Sequence, residues 1–213
     1  DAVLGAQVYL KCENLQRVGA FKARGACNAV LDLDEGAARR GVATHSSGNH
    51  GAALAYAARQ RGIAAHVVMP DNAARIKVAN VESFGGQVHF CAPTIAAREA
   101  VSAEVLRATG ATLVHPFDDP EVIAGQGTAA LELLDEHPDL DVVAAPIGGG
   151  GLLSGTAIAA RGMMPRITVL GAEPAYALLG ASGRLGVHYS HHGHAFDAED
   201  WTALLNFTDR HLL

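Results

Sequence analysis

Short apolar runs alternate along the chain with longer segments in which apolar residues recur every three or four positions. Apolar runs bounded by Gly or Pro predict buried strands, and the longer spacing predicts amphipathic helices. Since strands that alternate with helices build βαβ units, the pattern predicts an α/β fold of parallel, twisted sheets with helices on both faces. The predicted strands are 8–10, 64–69, 87–91, 112–115, 142–145 and 167–172, and the predicted helices are 25–33, 52–61, 75–84, 95–109, 120–136 and 152–160.

Composition and charge narrow the possible partners. With 213 residues, 49% of them hydrophobic, the chain can bury a substantial core in one or two domains. Its net charge of −6 argues against nucleic acid as a partner, because phosphate contacts need a basic face. No apolar run approaches the ~20 residues of a membrane span, so we expect no membrane partner. The three cysteines, Cys12, Cys27 and Cys91, are odd in number and far apart, which predicts neither a disulfide framework nor a zinc site and favours the cytoplasm.

Lys22 is the first candidate for chemistry, although most lysines are solvated surface charges. It follows a glycine-bearing turn at 18–20, and Phe21 comes immediately before it. A flat cofactor could pack against Phe21 while the amine reaches an aldehyde of that cofactor. Burial in such a pocket would lower the pKa of the amine and make it a nucleophile able to form a Schiff base.

Thr44 leads into the sequence SSGNHG at 46–51, which we interpret as a strand-to-helix junction before the predicted helix at 52–61. Free backbone N–H groups at a helix start attract anions. A simple helix cap is one interpretation of this polar cluster. Two serines, an asparagine and a histidine exceed what a cap needs, so the segment also predicts a site for a small carboxylate.

Four consecutive glycines, Gly148–Gly151, separate a predicted strand from the next helix. Residues without a Cβ let the backbone wrap a phosphate, although a plain flexible loop is the alternative. The segment is not a P-loop because no Lys follows, and the dinucleotide fingerprint fails at Leu153. Glu173 ends the next strand, as a ribose-binding acid would, so nucleotide binding stays an alternative.

Four histidines near the C-terminus, at 188, 191, 192 and 194, are dense enough to suggest a metal site. They have no acidic or Cys partners at a fixed spacing, which a zinc site usually provides. A solvated polar segment is therefore the favoured interpretation.

The chemically suggestive segments also resemble those of a known family, the fold type II pyridoxal phosphate enzymes. The chain is similar in order and approximate spacing to the threonine/serine dehydratase and serine racemase group over about residues 4–174. The matching segments are YLKCENLQRVGAFKARGA, SSGNHGAALAYAA, VVMP, AGQGT, PIGGGGLLSG and GAEP. This resemblance implies pyridoxal 5'-phosphate as cofactor and a small amino acid, serine or threonine, as substrate.

The resemblance also implies which residues bind the cofactor. Lys22 would hold it as a Schiff base, and Phe21 would pack against the pyridine ring. Asn49 would donate a hydrogen bond to the phenolic oxygen of the ring. The phosphate would lie in the loop of Gly148–Gly151 with Leu152.

The substrate contacts follow from the same resemblance. Ser46, Ser47, Asn49 and His50 resemble the loop that binds the amino acid carboxylate. Lys22 would remove the α-proton, and loss of the β-hydroxyl as water would lead to a 2-oxo acid and ammonia. Ser47 stands where racemases of the group keep an acid/base on the opposite face. Elimination and racemisation are therefore both open, as is a catalytically inactive chain that only binds the cofactor.

Beyond the matching segments the chain departs from this group. The family's segment before Leu4 is missing, and after Pro174 the pattern lacks the Ser/Thr-Gly-Gly motif that contacts the pyridine nitrogen. We therefore expect a chain truncated at both ends. Glu173 stands where some members bind a divalent cation, but Leu178 and Leu179 follow where an acid is expected, which disfavours that site.

Family members insert a small α/β domain into a larger cofactor domain. The resemblance implies a small domain at 43–116 and a discontinuous large domain at 1–42 and 117–186. Residues 187–213 resemble the end of a dienelactone-hydrolase-type α/β-hydrolase, with His194 as triad histidine, although the chain has no G-x-S-x-G nucleophile elbow. A sheet without its later strands exposes an edge, so we expect a homo-oligomer.

Overall fold

Two parallel sheets and seven α-helices form residues 7–172, the part of the chain that the computed structural model describes. Two 3₁₀ turns, Glu13–Leu15 and Arg17–Gly19, precede the first helix. The predicted α/β class is confirmed. The helices are α1 (Lys22–Asp32), α2 (Glu35–Arg39), α3 (Asn49–Arg61), α4 (Arg75–Ser83), α5 (Ile95–Thr109), α6 (Pro120–Glu136) and α7 (Gly151–Met163), and the strands are β1 (Val42–His45), β2 (Ala65–Pro70), β3 (Gln87–Cys91), β4 (Thr112–Leu113), β5 (Val142–Pro146) and β6 (Thr168–Ala172).

Most of the elements lie where the hydrophobic pattern places them. β3, α5 and α6 begin and end at the predicted residues. The predicted strand at 8–10 is wrong, because Val8, Tyr9 and Leu10 have no regular structure and are exposed. The strand predicted at 112–115 already ends at Leu113.

The helix ends follow from local side-chain chemistry. The carboxylate of Asp119 accepts hydrogen bonds from the backbone N–H groups of Glu121 and Val122, and Pro120 occupies the first turn of α6. Proline lacks the backbone N–H that would have no partner in the first turn, and its ring already fixes a helical φ. The start of α6 is therefore well defined. Gly110 ends α5 in the left-handed conformation that a residue with a side chain rarely adopts.

The first sheet has the strand order β3-β2-β1-β4, and the second sheet pairs β5 with β6. β1 is central, with Val42 opposite Ala65 of β2 and opposite Thr112 of β4. All of these pairs are parallel, so the strands end at the same edge. The segments that follow β1 and β4, which begin at Ser46 and Val114, therefore lie side by side at this edge.

Helices cover both faces of the first sheet. On one face, Leu54 of α3 and Val67 and Met69 of β2 are fully buried in the largest core cluster. On the other face, Val105 of α5 packs with Val68 of β2. Burying such side chains contributes roughly 1.5–3 kcal/mol each, which holds the edge that carries the site in place.

Glycines allow α1, α6 and α7 to cross at short distances. A Cβ on Gly25 of α1 would lie 2.6 Å from the carbonyl oxygen of Val122 in α6. A Cβ on Gly155 of α7 would lie 2.6 Å from the backbone nitrogen of Gly127, also in α6. Helix α6 is therefore held between α1 and α7, and it fixes the position of the segment that precedes it.

None of the helices within residues 7–172 combines the length and the apolar character that a membrane crossing requires. The two sheets lie in separate parts of the chain, 42–113 and 142–172. The division into a small domain of residues 43–116 and a large domain around it stays a prediction.

Candidate active site

Lys22 is the first residue of α1 and follows a tightly turned segment. Val18 has a φ of 58° and Gly19 a φ of 70°, both in the left-handed region. A β-branched residue rarely adopts this conformation, so the strain at Val18 must be offset by contacts elsewhere. Phe21 is the last residue before the helix, and its ring centroid lies 5.2 Å from the Lys22 amine.

An ion cluster around the buried side chain of Arg24 anchors the same helix. The Arg24 side chain is only 8% exposed and its guanidinium lies 2.8 Å from the Glu13 carboxylate and 2.7 Å from that of Glu132. These contacts tie α1 to the turn before it and to α6. Hydrogen bonds from Arg24 and Lys11 hold the pKa of Glu132 down, at about 2, so that carboxylate stays charged.

The Lys22 amine is half-buried and donates a hydrogen bond to the carbonyl oxygen of Pro116 at 2.6 Å. Burial lowers the pKa of this amine from the ordinary lysine value, because a charged ammonium loses hydration inside the protein. A larger fraction of Lys22 is therefore unprotonated near neutral pH than for a surface lysine. Such an amine can attack a carbonyl carbon.

The SSGNHG segment connects β1 to α3, as predicted. The Ser46 N–H donates to the carbonyl of Val68, and the Ser46 hydroxyl accepts from the N–H of Gly48 at 3.2 Å. Ser47 and Asn49 are exposed, with Asn49 as the first residue of α3. No side chain of the described residues caps the N-terminus of this helix, so its first N–H groups remain available to an anion.

His50 is buried beneath this loop instead of facing solvent. Its Nε2 lies 3.3 Å from the carbonyl oxygen of Val114, so Nε2 carries the proton and donates. Nδ1 is then an acceptor, and it has no hydrogen-bond partner among the described residues. Burial and the nearby charge of Lys22 lower the pKa of His50 to about 3, so the ring stays neutral. The predicted contact of His50 with a substrate carboxylate stays a prediction.

The glycine loop lies against Phe117. A Cβ on Gly149 would overlap the Phe117 ring, and one on Gly151 would lie 2.9 Å from the Phe117 carbonyl oxygen. Gly148 and Gly150, in contrast, have open space where a Cβ would lie. Only glycine at 149 and 151 leaves room for this aromatic residue beside the loop.

Residues 114–117 are therefore the segment on which the predicted groups meet. Val114 accepts from His50, Pro116 accepts from Lys22, and Phe117 packs on the glycine loop. Sequence reasoning did not select this segment, because two of its contacts are made by backbone carbonyl oxygens. The hydrophobic pattern assigned Val114 and His115 to a predicted strand and gave no indication that the segment takes part in a site.

Lys77 is a second residue that the sequence did not single out. It extends from α4, and its amine would lie 3.7 Å from a Cβ placed on Gly48. Among the described residues the amine has no ion-pair or hydrogen-bond partner. It thus adds a positive charge beside the start of α3, where the carboxylate site is predicted.

The arrangement fits pyridoxal phosphate. A phosphate needs backbone N–H donors without side chains in the way, and Gly148 and Gly150, where an added Cβ would meet open space, lie directly before α7 begins. An aldehyde needs an unprotonated amine, and burial lowers the pKa of Lys22, which favours that form. Pro116 contacts the amine and the next residue, Phe117, contacts the loop, so the two parts lie on one short segment.

Two other predicted sites fall outside the described residues. Glu173, named for a divalent cation and for nucleotide ribose, lies there, as do the histidines at 188, 191, 192 and 194. Within residues 7–172, no three His, Cys, Asp or Glu side chains come together as metal ligands.

Comparison with known proteins supports the resemblance. A family model described as "Pyridoxal-phosphate dependent enzyme" matches residues 1–198. The chain is 51% identical over 174 residues to a serine racemase of Oryza sativa subsp. indica, covering 82% of this chain and 51% of the relative. It is also 51% identical over 174 residues to a beta-hydroxyaspartate dehydratase of Paracoccus denitrificans (strain Pd 1222), covering 82% of this chain and 55% of that protein.

The fold has a similar counterpart among solved structures. The processed form of threonine deaminase isoform 2 from Solanum lycopersicum superposes with a TM-score of 0.76 and 37% identity, covering 81% of this chain and 50% of that one. The chain spans about half the length of the curated relatives it matches. The family match continues to residue 198, so the resemblance of the tail at 187–213 to a hydrolase is not borne out.

Proposed function

This chain belongs to the pyridoxal-phosphate dependent enzyme family, and we propose that it acts on a small β-hydroxy amino acid such as serine or threonine. The proposed reaction is a dehydration that leads to a 2-oxo acid and ammonia, with racemisation at Cα as a second outcome of the same site. The observation that carries the proposal is the half-buried Lys22 amine, which shares the Pro116–Phe117 segment with the glycine loop. The similarity to a serine racemase and to a beta-hydroxyaspartate dehydratase supports this class of substrate.

The cofactor would be held at two places. The backbone N–H groups of Gly148, Gly149, Gly150 and Gly151, with Leu152 in the first turn of α7, would bind its phosphate. Pyridoxal phosphate supplies an aldehyde that the Lys22 amine can attack and a ring that withdraws electrons from the substrate's Cα. Phe21 lies beside Lys22 and offers its ring as a packing surface.

The substrate carboxylate would bind at the start of α3. The unpaired N–H groups there, the hydroxyl of Ser46 and the amide of Asn49 offer donors, and Lys77 adds a positive charge nearby. The neutral ring of His50 fixes this loop against Val114. Binding at this point would orient Cα of the amino acid towards the amine of Lys22.

Two residues would move the proton at Cα. Lys22 can accept it at Nζ because burial favours its uncharged form. The hydroxyl of Ser47, which is exposed in the same loop as the carboxylate site, could return a proton from the other face. Return by Ser47 would invert the amino acid, whereas loss of the β-hydroxyl after removal by Lys22 would give the dehydration.

The cellular setting belongs to the same proposal. Cys12, Cys27 and Cys91 are all free thiols, which agrees with a reducing cytoplasm. We expect a homo-oligomer without nucleic-acid or membrane partners, and sedimentation at several protein concentrations would test its assembly.

The experiment is to add pyridoxal phosphate to the purified chain, reduce with borohydride and locate the label by peptide mass spectrometry. We expect a visible absorbance band and a label on Lys22, and neither in Lys22→Ala. Serine and threonine are then supplied, and 2-oxo acid and the enantiomeric amino acid are measured. Label on Lys22 without either product would identify a chain that binds the cofactor but does not turn over, and no label on Lys22 would reject the proposal.

A further inference from the structure

We propose that His115 is a positioning residue for the active site, which holds the turn that contacts both Lys22 and the glycine loop. This inference rests on the proposed function only for its effect on turnover. The hydrogen bonds by which His115 holds this turn, here called the brace, are present without cofactor and are tested in the cofactor-free chain. His115 lies between β4 and α6, one residue before Pro116.

The brace consists of hydrogen bonds to the backbone. Nδ1 of His115 accepts from the N–H of Asp118 at 2.9 Å and from the N–H of Phe117 at 3.5 Å. A side-chain acceptor that binds amides two and three residues ahead fixes a turn, as Asx motifs do. Both amides lie between β4 and α6, where neither a sheet nor a helix of the described residues provides them with a carbonyl partner.

The turn held in this way makes the two contacts that organise the site. Pro116 directs its carbonyl oxygen at the Lys22 amine, at 2.6 Å. Phe117 places its ring against Gly149 and its carbonyl oxygen beside Gly151. A rotation within the turn would therefore displace the partner of the amine and the aromatic contact of the loop together.

Ring contacts restrict the orientation of His115. Its centroid lies 4.6 Å from that of Phe117 and 5.3 Å from that of His45, with the rings nearly perpendicular in both pairs. His45 is the last residue of β1, just before Ser46. The same imidazole thus connects the strand that leads into the predicted carboxylate loop with the turn that contacts Lys22.

An acceptor at Nδ1 requires that the proton be on Nε2. The tautomer can be read in the wild-type chain from the ¹⁵N shifts of the ring, without any mutation. We expect an unprotonated Nδ1 and slow amide exchange at Asp118. A proton on Nδ1, or fast exchange at Asp118, would overturn the proposal.

Two variants separate the acceptor from the ring. His115→Asn keeps an oxygen that can accept from the same amides but loses the ring, and His115→Phe keeps a ring of similar shape without an acceptor. In each variant the pH dependence of Lys22 acylation is measured in the apo chain, with Lys11 as internal reference. We expect the same Lys22 acylation profile in the wild type and His115→Asn and a shifted profile in His115→Phe, because displacement of the Pro116 carbonyl changes the surroundings of the amine.

Turnover provides a second measurement with saturating pyridoxal phosphate. Displacing a reacting group by about 1 Å can reduce a rate by up to ~100-fold, so we expect kcat to fall at least ~10-fold in His115→Phe with little change in KM. His115→Asn should remain within ~3-fold of the wild type. Equal behaviour of the two variants, in Lys22 acylation and in kcat, would contradict the positioning role.

The outcomes also distinguish the two proposals. If the wild type does not carry the cofactor on Lys22, the proposed function fails while the tautomer, the Asp118 exchange and the acylation profile still decide on the brace. If the wild type carries the cofactor and turns over but Nδ1 is protonated, the brace fails while the proposed function stands.

Discussion

The amine of Lys22 donates a hydrogen bond to the carbonyl oxygen of Pro116, 94 positions later in the chain, at 2.6 Å. The acceptor is a backbone group in a turn between β4 and α6, so its position depends on the fold rather than on the residue type. A side-chain hydrogen bond typically contributes about 0.5–1.5 kcal/mol to stability. The contact therefore holds the amine in place, and it must be released when the amine attacks an aldehyde.

Substitution of Gly149 tests the contact between the glycine loop and Phe117. Gly149→Ala places a methyl group in the Phe117 ring and should lower the free energy of unfolding by about 1–3 kcal/mol. Phe117→Ala in the same chain should recover part of that loss, because the two residues touch. Urea unfolding of the two single variants and the double variant measures the coupling.

Gly148→Ala is the matched control, since its new methyl group would meet open space. We expect a change within about 0.5 kcal/mol. Strictly additive effects of the Gly149 and Phe117 substitutions would show that the ring does not occupy this position.

The buried His50 should make the stability of the chain sensitive to acid. Its pKa is about 3 in the folded protein against 6.5 ordinarily, so below pH 6.5 the unfolded chain takes up a proton that the folded chain excludes. Stability from this group is thus complete above pH 6.5 and decreases towards pH 3, with a slope approaching about 1.4 kcal/mol per pH unit. Urea titrations from pH 7.5 to 4 measure it.

His50→Gln provides the comparison, because glutamine retains an N–H donor but does not titrate in this range. As the pH falls, the unfolding free energy of the wild type should decrease more than that of His50→Gln. Parallel curves for the two proteins would mean that His50 is protonated as easily in the folded chain as in the unfolded one.

Two glycines of α7 should respond in opposite directions to the same substitution. A Cβ on Gly155 would overlap the carbonyl oxygen of Ile123 and approach the backbone of Gly127, so Gly155→Ala should destabilise by about 1–3 kcal/mol. Gly162 lies exposed in the same helix with open space around it, and Gly162→Ala should stabilise by about 0.5–1 kcal/mol. Thermal and urea unfolding of both variants check the signs, and a stabilising Gly155→Ala would rule out the close crossing of α6 and α7.

Removing the charge of Lys77 should weaken the binding of the amino acid without affecting the cofactor. An exposed ion pair is worth about 0.2–1 kcal/mol, so Lys77→Ala should raise KM by up to ~5-fold. Lys77→Arg keeps the charge and should remain near the wild type. Steady-state kinetics at saturating pyridoxal phosphate test this, and an unchanged KM in Lys77→Ala would separate this amine from the substrate site.

The elements that the sequence predicted well are those with strong local signals. The start of α6 follows from Asp119 and Pro120, and the end of α5 from Gly110, because caps and breakers act over a few residues. The run Val8–Leu10 is apolar but is exposed and has no regular structure, so apolar composition alone does not make a strand.

The parts of the candidate site that consist of particular side chains, or of glycines, could be predicted from the sequence. Lys22 and the two glycine-bearing loops stand out by residue type and spacing. The role of Pro116 does not, since every residue has a carbonyl group and only the tertiary fold selects one. His115 was missed because its acceptor role depends on the turn that follows it, and Lys77 because only the fold brings it beside Gly48.

The crossing of α1 and α6 at Gly25 and Gly125 also determines when the site can form during synthesis. The ribosome releases Lys22 long before Pro116, and until α6 docks on α1 the amine is an ordinary solvated lysine. In that state it is mostly protonated and reacts slowly with aldehydes. If Lys22 holds the cofactor as proposed, cofactor loading is coupled to completion of the fold, and a nascent chain is spared premature modification at this lysine.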